Sequence, residues 1–182
     1  MKNKDQAFNI RRAQPDDVLD MHEIFLVSWL ATYPNEEYDI TVEDINYKFE
    51  QALLPEKLAA RKLRLAEPKD GELILVGEVD GRIVGVCVGA RNFDYNQLQA
   101  IYVLPEFQGR GLGRLMFNEV AQIFDKKKKI IVRVASYNDK AIGFYQRLGF
   151  VSTGKMFMDD KHKLRNGSVI PELEMEMFSA VV

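Results

Sequence analysis

The chain has 182 residues, 47% of them apolar, and its 25 basic residues stand against 27 acidic ones for a net charge of −2. Length and apolar fraction suit a single domain over residues 1–182 with one sizeable core. The near balance gives no support for the basic face of a nucleic-acid binder, and it leaves room for a local basic pocket. The single cysteine, Cys87, rules out an intramolecular disulfide and a cysteine-built zinc site. It lies in the apolar run Ile83 to Val88 and reads as a small core residue. His22 and His162 have no partners at ligand spacing, so no metal is expected. Met1 to Gln6 leads into no apolar signal core, and no run reaches the roughly 18 apolar residues of a membrane span; a cytoplasmic protein without membrane contact is the expectation.

In chain order, Phe8 to Arg11 alternates as a short strand. Pro15 with Asp16 and Asp17 starts a helix, and Val18, Met21, Phe25 and Trp29 carry it to about Leu30. A second helix follows Thr41, and a third spans Pro55 to Ala66. Leu73 to Val79 and Arg82 to Val88 are β-rich runs joined by Asp80-Gly81, a hairpin signal. Leu98 to Leu104 is a strand stopped by Pro105. A helix from about Gly111 keeps Leu112, Leu115, Met116, Val120, Ile123 and Phe124 on one face. Ile130 to Val134 is a strand, Asn138 to Leu148 a helix ended by Gly149, and strands near Phe150 to Phe157 and Glu172 to Phe178 finish the chain. The expected fold is α+β: one mostly antiparallel, twisted sheet of about seven strands flanked by helices. The last strand could pair at an edge with a second copy, leaving room for a homodimer. Lys126 to Lys129 reads as solvated cations at a helix end.

The stretch Ile101-Tyr102-Val103-Leu104-Pro105-Glu106-Phe107-Gln108-Gly109-Arg110-Gly111-Leu112-Gly113-Arg114 carries the chemistry. It is a strand, a proline stop, a glycine-rich turn and a helix start. A helix N-terminus offers unpaired N–H groups and a positive dipole end to phosphate, and glycines bare the backbone to it. Arg110 and Arg114 add charge at the same end. The glycine spacing matches neither the dinucleotide fingerprint nor the nucleoside triphosphate loop.

Gln108-Gly109-Arg110-Gly111-Leu112-Gly113, after a Val-x-Pro strand end, resembles the acetyl-CoA motif of the GNAT superfamily of N-acetyltransferases. Asn138-Asp139-Lys140-Ala141 with Phe144-Tyr145 and Gly149-Phe150 resembles the family's second motif. Ile10 to Ala13 with Asp17, and the Asp80-Gly81 hairpin, resemble its opening and its central meander. The resemblance implies a strand pair that splays at the cofactor site, with the backbone of Ile101, Tyr102 and Val103 lining the pantetheine arm of acetyl-CoA. It implies that N–H groups from Gln108 to Arg114 hold the pyrophosphate and that Asn138 contacts the pantetheine or the backbone beside it. Ala141 and Phe144 would pack beside the cofactor, and Tyr145 would reach the thioester sulfur.

The implied reaction is acetyl transfer to a primary amine of a small molecule or peptide, by direct attack in a ternary complex. A lysine-type amine must first lose a proton, at a cost of ~4.6 kcal/mol at pH 7. Tyr145, seven residues after Asn138 and so two turns along one helix face, is the expected acid for the leaving thiolate. The backbone N–H of Val103 is the implied oxyanion donor. Many relatives carry a glutamate where this chain has Gln97-Leu98-Gln99; Asp94, Glu78, Glu23 or a water chain remain as bases. Trp29 and Tyr33 could wall an acceptor pocket. The alternative is an acyl-CoA-binding module without turnover.

Overall fold

A computed structural model describes residues 7–159 and 163–178; Met1 to Gln6 and His162 lie outside them. Seven strands are present among the described residues: β1 (Asn9–Arg12), β2 (Glu72–Val79), β3 (Arg82–Arg91), β4 (Asn96–Val103), β5 (Lys129–Ala135), β6 (Val151–Met158) and β7 (Pro171–Phe178). They form one sheet in the order β1-β2-β3-β4-β5-β7-β6. All neighbours pair antiparallel except β4 and β5, which are parallel. Among the described residues five α-helices flank the sheet: α1 (Val18–Leu30), α2 (Val42–Gln51), α3 (Pro55–Ala66), α4 (Leu112–Val120) and α5 (Asp139–Leu148). The architecture is the expected α+β fold.

Local chemistry sets the elements. Asp80 (φ 50°) and Gly81 (φ 78°) take two successive left-handed conformations and close the β2–β3 hairpin. Thr41 caps α2 by accepting from Asp44 N, and Asn138 caps α5 by accepting from Ala141 N at 3.1 Å. The proline start of the first helix becomes a 3₁₀ turn, Pro15–Asp17, because Asp17 turns inward. There it accepts from both Arg11 Nη atoms at 2.7 and 2.9 Å, and from Gln14 N.

The sheet has two covered faces. On β3, a Cβ at Gly85 would lie 2.9 Å from Met116 and one at Gly89 would lie 2.6 Å from Val120, so α4 sits directly on these positions. Tyr102 lies on the opposite face, where its ring meets Phe25 of α1 edge-on. Two expectations need correction. The helix after the glycine turn stops at Val120 and passes through a 3₁₀ turn, Ala121–Ile123. Fully buried Asn96 ends it, taking Asp125 N on its Oδ1 and donating to Asp125 O and Lys128 O. The last strand, moreover, is no sheet edge: β7 lies between β5 and β6, so the edge on that side is β6.

Candidate active site

β4 and β5 pair over three residues only, Asn96 to Leu98 against Ile130 to Val132. Beyond them the strands part, β4 staying on β3 and β5 on β7, and a wedge opens between them. A bulge coincides with the departure. Val88 faces Ala100 while Gly89 faces Leu98, leaving Gln99 as the extra residue, and such an insertion bends and twists its strand. Leu104 N donates to Val84 O at 2.9 Å. Successive N–H groups of a strand point to opposite edges. Those of Val103 and Ile101 are therefore directed away from β3, into the wedge.

The glycine turn lies at one end of this opening. Gly109 (φ 74°) and Gly111 (φ 92°) are left-handed, and a Cβ at either would meet nothing within 4 Å. Gly113 differs: its Cβ would lie 3.2 Å from Phe144, so this glycine lets α4 and α5 approach. The three glycines, expected to serve one end, thus divide between turn geometry and packing. The N–H groups of Leu112, Gly113 and Arg114 open α4 and have no intrahelical acceptor; Leu115 N donates to Gly111 O. Gln108 acts as a brace. Its N–H donates to Pro105 O at 3.3 Å, its side-chain amide donates to Val103 O at 2.8 Å, and its Oε1 accepts from Lys140. Arg110 lies over the Phe107 ring at 5.2 Å. Arg114 donates to Arg147 O at 2.9 Å, which ties it to the end of α5.

Tyrosines gather at the wedge from both faces. Tyr145 of α5 is 7% exposed, and Ala141 and Phe144 pack beside it against the core. Its hydroxyl is pushed well above the ordinary phenol range, first by burial and then by Tyr102 and Cys87. Tyr102 reaches from the α1 face. Its hydroxyl accepts from the Trp29 indole and shares a 2.8 Å hydrogen bond with Tyr33. Trp29 and Tyr33 meet edge-to-face at 4.7 Å, and Lys48 Nζ lies 5.7 Å from the Trp29 ring. The pair expected at an acceptor pocket is thus joined to a cofactor-motif residue by hydrogen bonds. Burial raises the Tyr33 and Tyr102 hydroxyls too, with Glu172 contributing to both.

The candidate bases fare differently. Glu78 is held by Arg11 and by Asn9 at 2.8 Å, on β2. Asp94 and Glu23 are exposed. Gln99 is exposed and accepts from Arg64 at 3.4 Å. Glu172 was missed. The signal available was the run Glu172-Leu-Glu-Met-Glu, whose period of two puts three carboxylates on one sheet face. Cys87 is fully buried, and burial raises its thiol. Within the run from Lys126, Lys128 pairs with Asp125 and Lys129 with Glu176. Among the described residues no His, Cys, Asp and Glu group is placed to hold a metal, and no helix is long and apolar enough to cross a membrane.

Residues 18–150 match the model of the acetyltransferase (GNAT) family. Solved structures of similar fold include PaiA N-acetyltransferase from Thermoplasma acidophilum in complex with coenzyme A. That match has 22% identity and a TM-score of 0.71, and it covers 94% of this chain and 99% of that one. Another is YncA, a putative acetyltransferase from Salmonella typhimurium with acetyl-CoA, at 22% identity and TM-score 0.59, over 95% and 94%. A third is a GCN5-related N-acetyltransferase from Rhodopseudomonas palustris, at 20% identity and TM-score 0.68, over 96% and 98%. With the family model spanning most of its length and a parted strand pair beside a glycine turn, the chain belongs to the GNAT family of acetyltransferases.

Proposed function

We propose that the chain is an acetyl-CoA-dependent N-acetyltransferase that acts on a primary amine of a small molecule or peptide. The observation that carries this reading is the wedge. It joins directed backbone N–H groups, a glycine turn at a helix start, and a buried tyrosine hydroxyl in one opening. These residues fit the donor. The left-handed glycines leave open space before the α4 N-terminus, where a pyrophosphate is favoured. The parted edge of β4 offers Ile101 and Val103 to the amides of a pantetheine arm, and Ala141, Phe144 and the Asn138 cap border it from α5.

Bound acetyl-CoA supplies a thioester whose carbonyl carbon can form a bond to an amine nitrogen as its bond to sulfur breaks. The residues of the chain would then divide the work. The N–H of Val103, fixed by the strand, is the donor for charge developing on an oxygen in the wedge. Tyr145 keeps its proton at Oη throughout the neutral range, because burial raises it, and so stays a hydrogen-bond donor for the sulfur of a leaving thiolate. Trp29 and Tyr33 wall the acceptor side.

The test is thiol release from acetyl-CoA with pooled amines against an amine-free control. Release stimulated by one pool, and lowered ~10²-fold in kcat by Tyr145→Phe, supports the proposal. Full turnover in Tyr145→Phe would remove the acid role. Acetyl-CoA raising the melting temperature, with no transfer to any pool, would favour a binding module.

A further inference from the structure

Helix α3 fully buries none of its residues. Leu58, Arg61 and Leu65, at i, i+3 and i+7, are half-buried and form its inner face. The middle of that face is a guanidinium, which does not fill apolar space as a hydrocarbon side chain would. A recess of about 80 Å³ stays open there, across β4 from the wedge. Its apolar wall is Val18, Met21 and Phe25 of α1, Leu65 of α3, Ile74 of β2 and Val88 of β3. Arg61 and Arg64 complete the lining. Leu65 and Ile74 also line a second recess, of about 160 Å³, which continues beside Ala13, Leu73 and Pro68 and is bordered by Arg12.

The two arginines of the first recess differ. Arg64 is neutralised by Glu72, which accepts from its Nε at 3.2 Å and from its Nη2. Arg61 has no carboxylate partner among the described residues. Its Nη1 lies 3.3 Å from Nδ1 of His22 and 3.5 Å from Ala52 O, and its Nη2 donates to Val18 O at 3.3 Å. These are long contacts to neutral acceptors, and burial holds His22 toward its neutral form. A charge withdrawn from water is ordinarily paired. A guanidinium short of an anion, above an apolar floor, is complementary to a carboxylate that carries a hydrocarbon tail. A peptide C-terminus suits the recess less well, because its amides would meet apolar side chains.

We propose that this crevice is a second ligand site, which takes an aliphatic monocarboxylate with its carboxylate on Arg61 and its chain along Leu65 and Ile74. The site goes beyond acetyl transfer: no bond is made or broken in it. Phe25 is its link to the wedge, since the same ring that lines the recess meets Tyr102 at 5.2 Å.

The test is isothermal titration calorimetry of the protein saturated with coenzyme A, using sodium octanoate. One site is expected, with affinity rising about threefold per methylene from butanoate to octanoate. Octylammonium and octan-1-ol should bind at least tenfold more weakly than octanoate. Arg61→Gln should lose at least tenfold in octanoate affinity and keep its affinity for octanol, while Arg61→Lys should keep part of both. Leu65→Trp leaves Arg61 in place but fills the crevice, and it should lose octanoate as well. Octanol bound as tightly as octanoate, wild-type octanoate affinity in Arg61→Gln, or no binding of octanoate would each overturn the proposal. If Arg61→Gln loses octanol equally, the crevice has collapsed and Leu65→Trp decides: loss of octanoate there supports the site, and full affinity overturns it. Octanoate binding that disappears when coenzyme A is bound would put the carboxylate in the wedge, which also overturns it.

Discussion

Gly111→Ala tests whether the turn before α4 demands glycine for its conformation or for bare backbone. Gly111 holds φ at 92°, and its Cβ would meet no atom within 4 Å. The variant therefore creates no clash and costs only left-handed strain, about 1–2 kcal/mol. Spread over 182 residues at about 2.1 cal/mol/K each, the unfolding entropy is near 0.4 kcal/mol/K, so melting should fall by about 3–5 °C. Gly111→Asn is the companion, because asparagine tolerates this region but carries a Cβ. Differential scanning calorimetry gives the melting temperatures, and isothermal titration gives coenzyme A affinity. If bare backbone matters to the pyrophosphate, Asn should regain most of the melting temperature while affinity stays at least tenfold down in both variants. Wild-type affinity in Gly111→Asn would refute the idea that this glycine lets a ligand approach. An unchanged melting temperature in Gly111→Ala would refute the strain.

Three further outcomes are expected. Asn96→Ala removes a fully buried side chain bonded to Asp125 N, Asp125 O and Lys128 O; it should cost about 2–4 kcal/mol by urea unfolding, because it leaves buried backbone groups unpaired. Arg11, hydrogen-bonded to Asp17, holds that carboxyl below its ordinary range, so the unfolded chain takes up the proton first as pH falls. The stability Asp17 contributes is present above its unfolded pKa of about 3.9 and is lost as pH drops through the lower folded value, a limb that Asp17→Asn should flatten in a melting series. His22 is pushed below its ordinary value by burial and then by Arg61, so stability should already decline as pH falls below about 6.5, and His22→Gln should erase that limb alone.

The parts of the fold that showed in the sequence are those built by neighbours along the chain. Asp80-Gly81 needs only its own dihedrals to make a hairpin, and Thr41, Asn138 and Gly149 act within one helical turn of the ends they set. The α3 span, Pro55–Ala66, is marked by a proline at one end and composition throughout. Contacts distant in sequence overrode the local reading elsewhere. The periodicity that runs on to Phe124 is genuine, since Phe124 is buried, but Asn96, nearly thirty residues away, captures Asp125 and ends the helix first. The edge position expected for the last strand failed for a similar reason. Nothing in Glu172 to Phe178 itself says that β6, earlier in the chain, will cover its outer side.

The site divides along the same line, and the division has a chemical sense. On the proposed reading, cofactor recognition is mostly backbone recognition: a strand end, a tight turn and a helix start in immediate succession form one contiguous motif from Ile101 to Arg114. The side chains proposed for the acceptor and the leaving group approach the wedge from separate elements. Tyr102 comes from β4, Trp29 and Tyr33 from α1 and the turn after it, and Tyr145 from α5. No spacing rule links positions 29, 33, 102 and 145, and only the packing of α1 and α5 on opposite faces of the sheet brings them to one opening. The glutamines at 97 and 99 look like a lost base only if the base must sit on β4. Gln99 is the bulged residue, exposed and turned to Arg64, so a carboxylate there would lie outside the wedge that its own bulge opens.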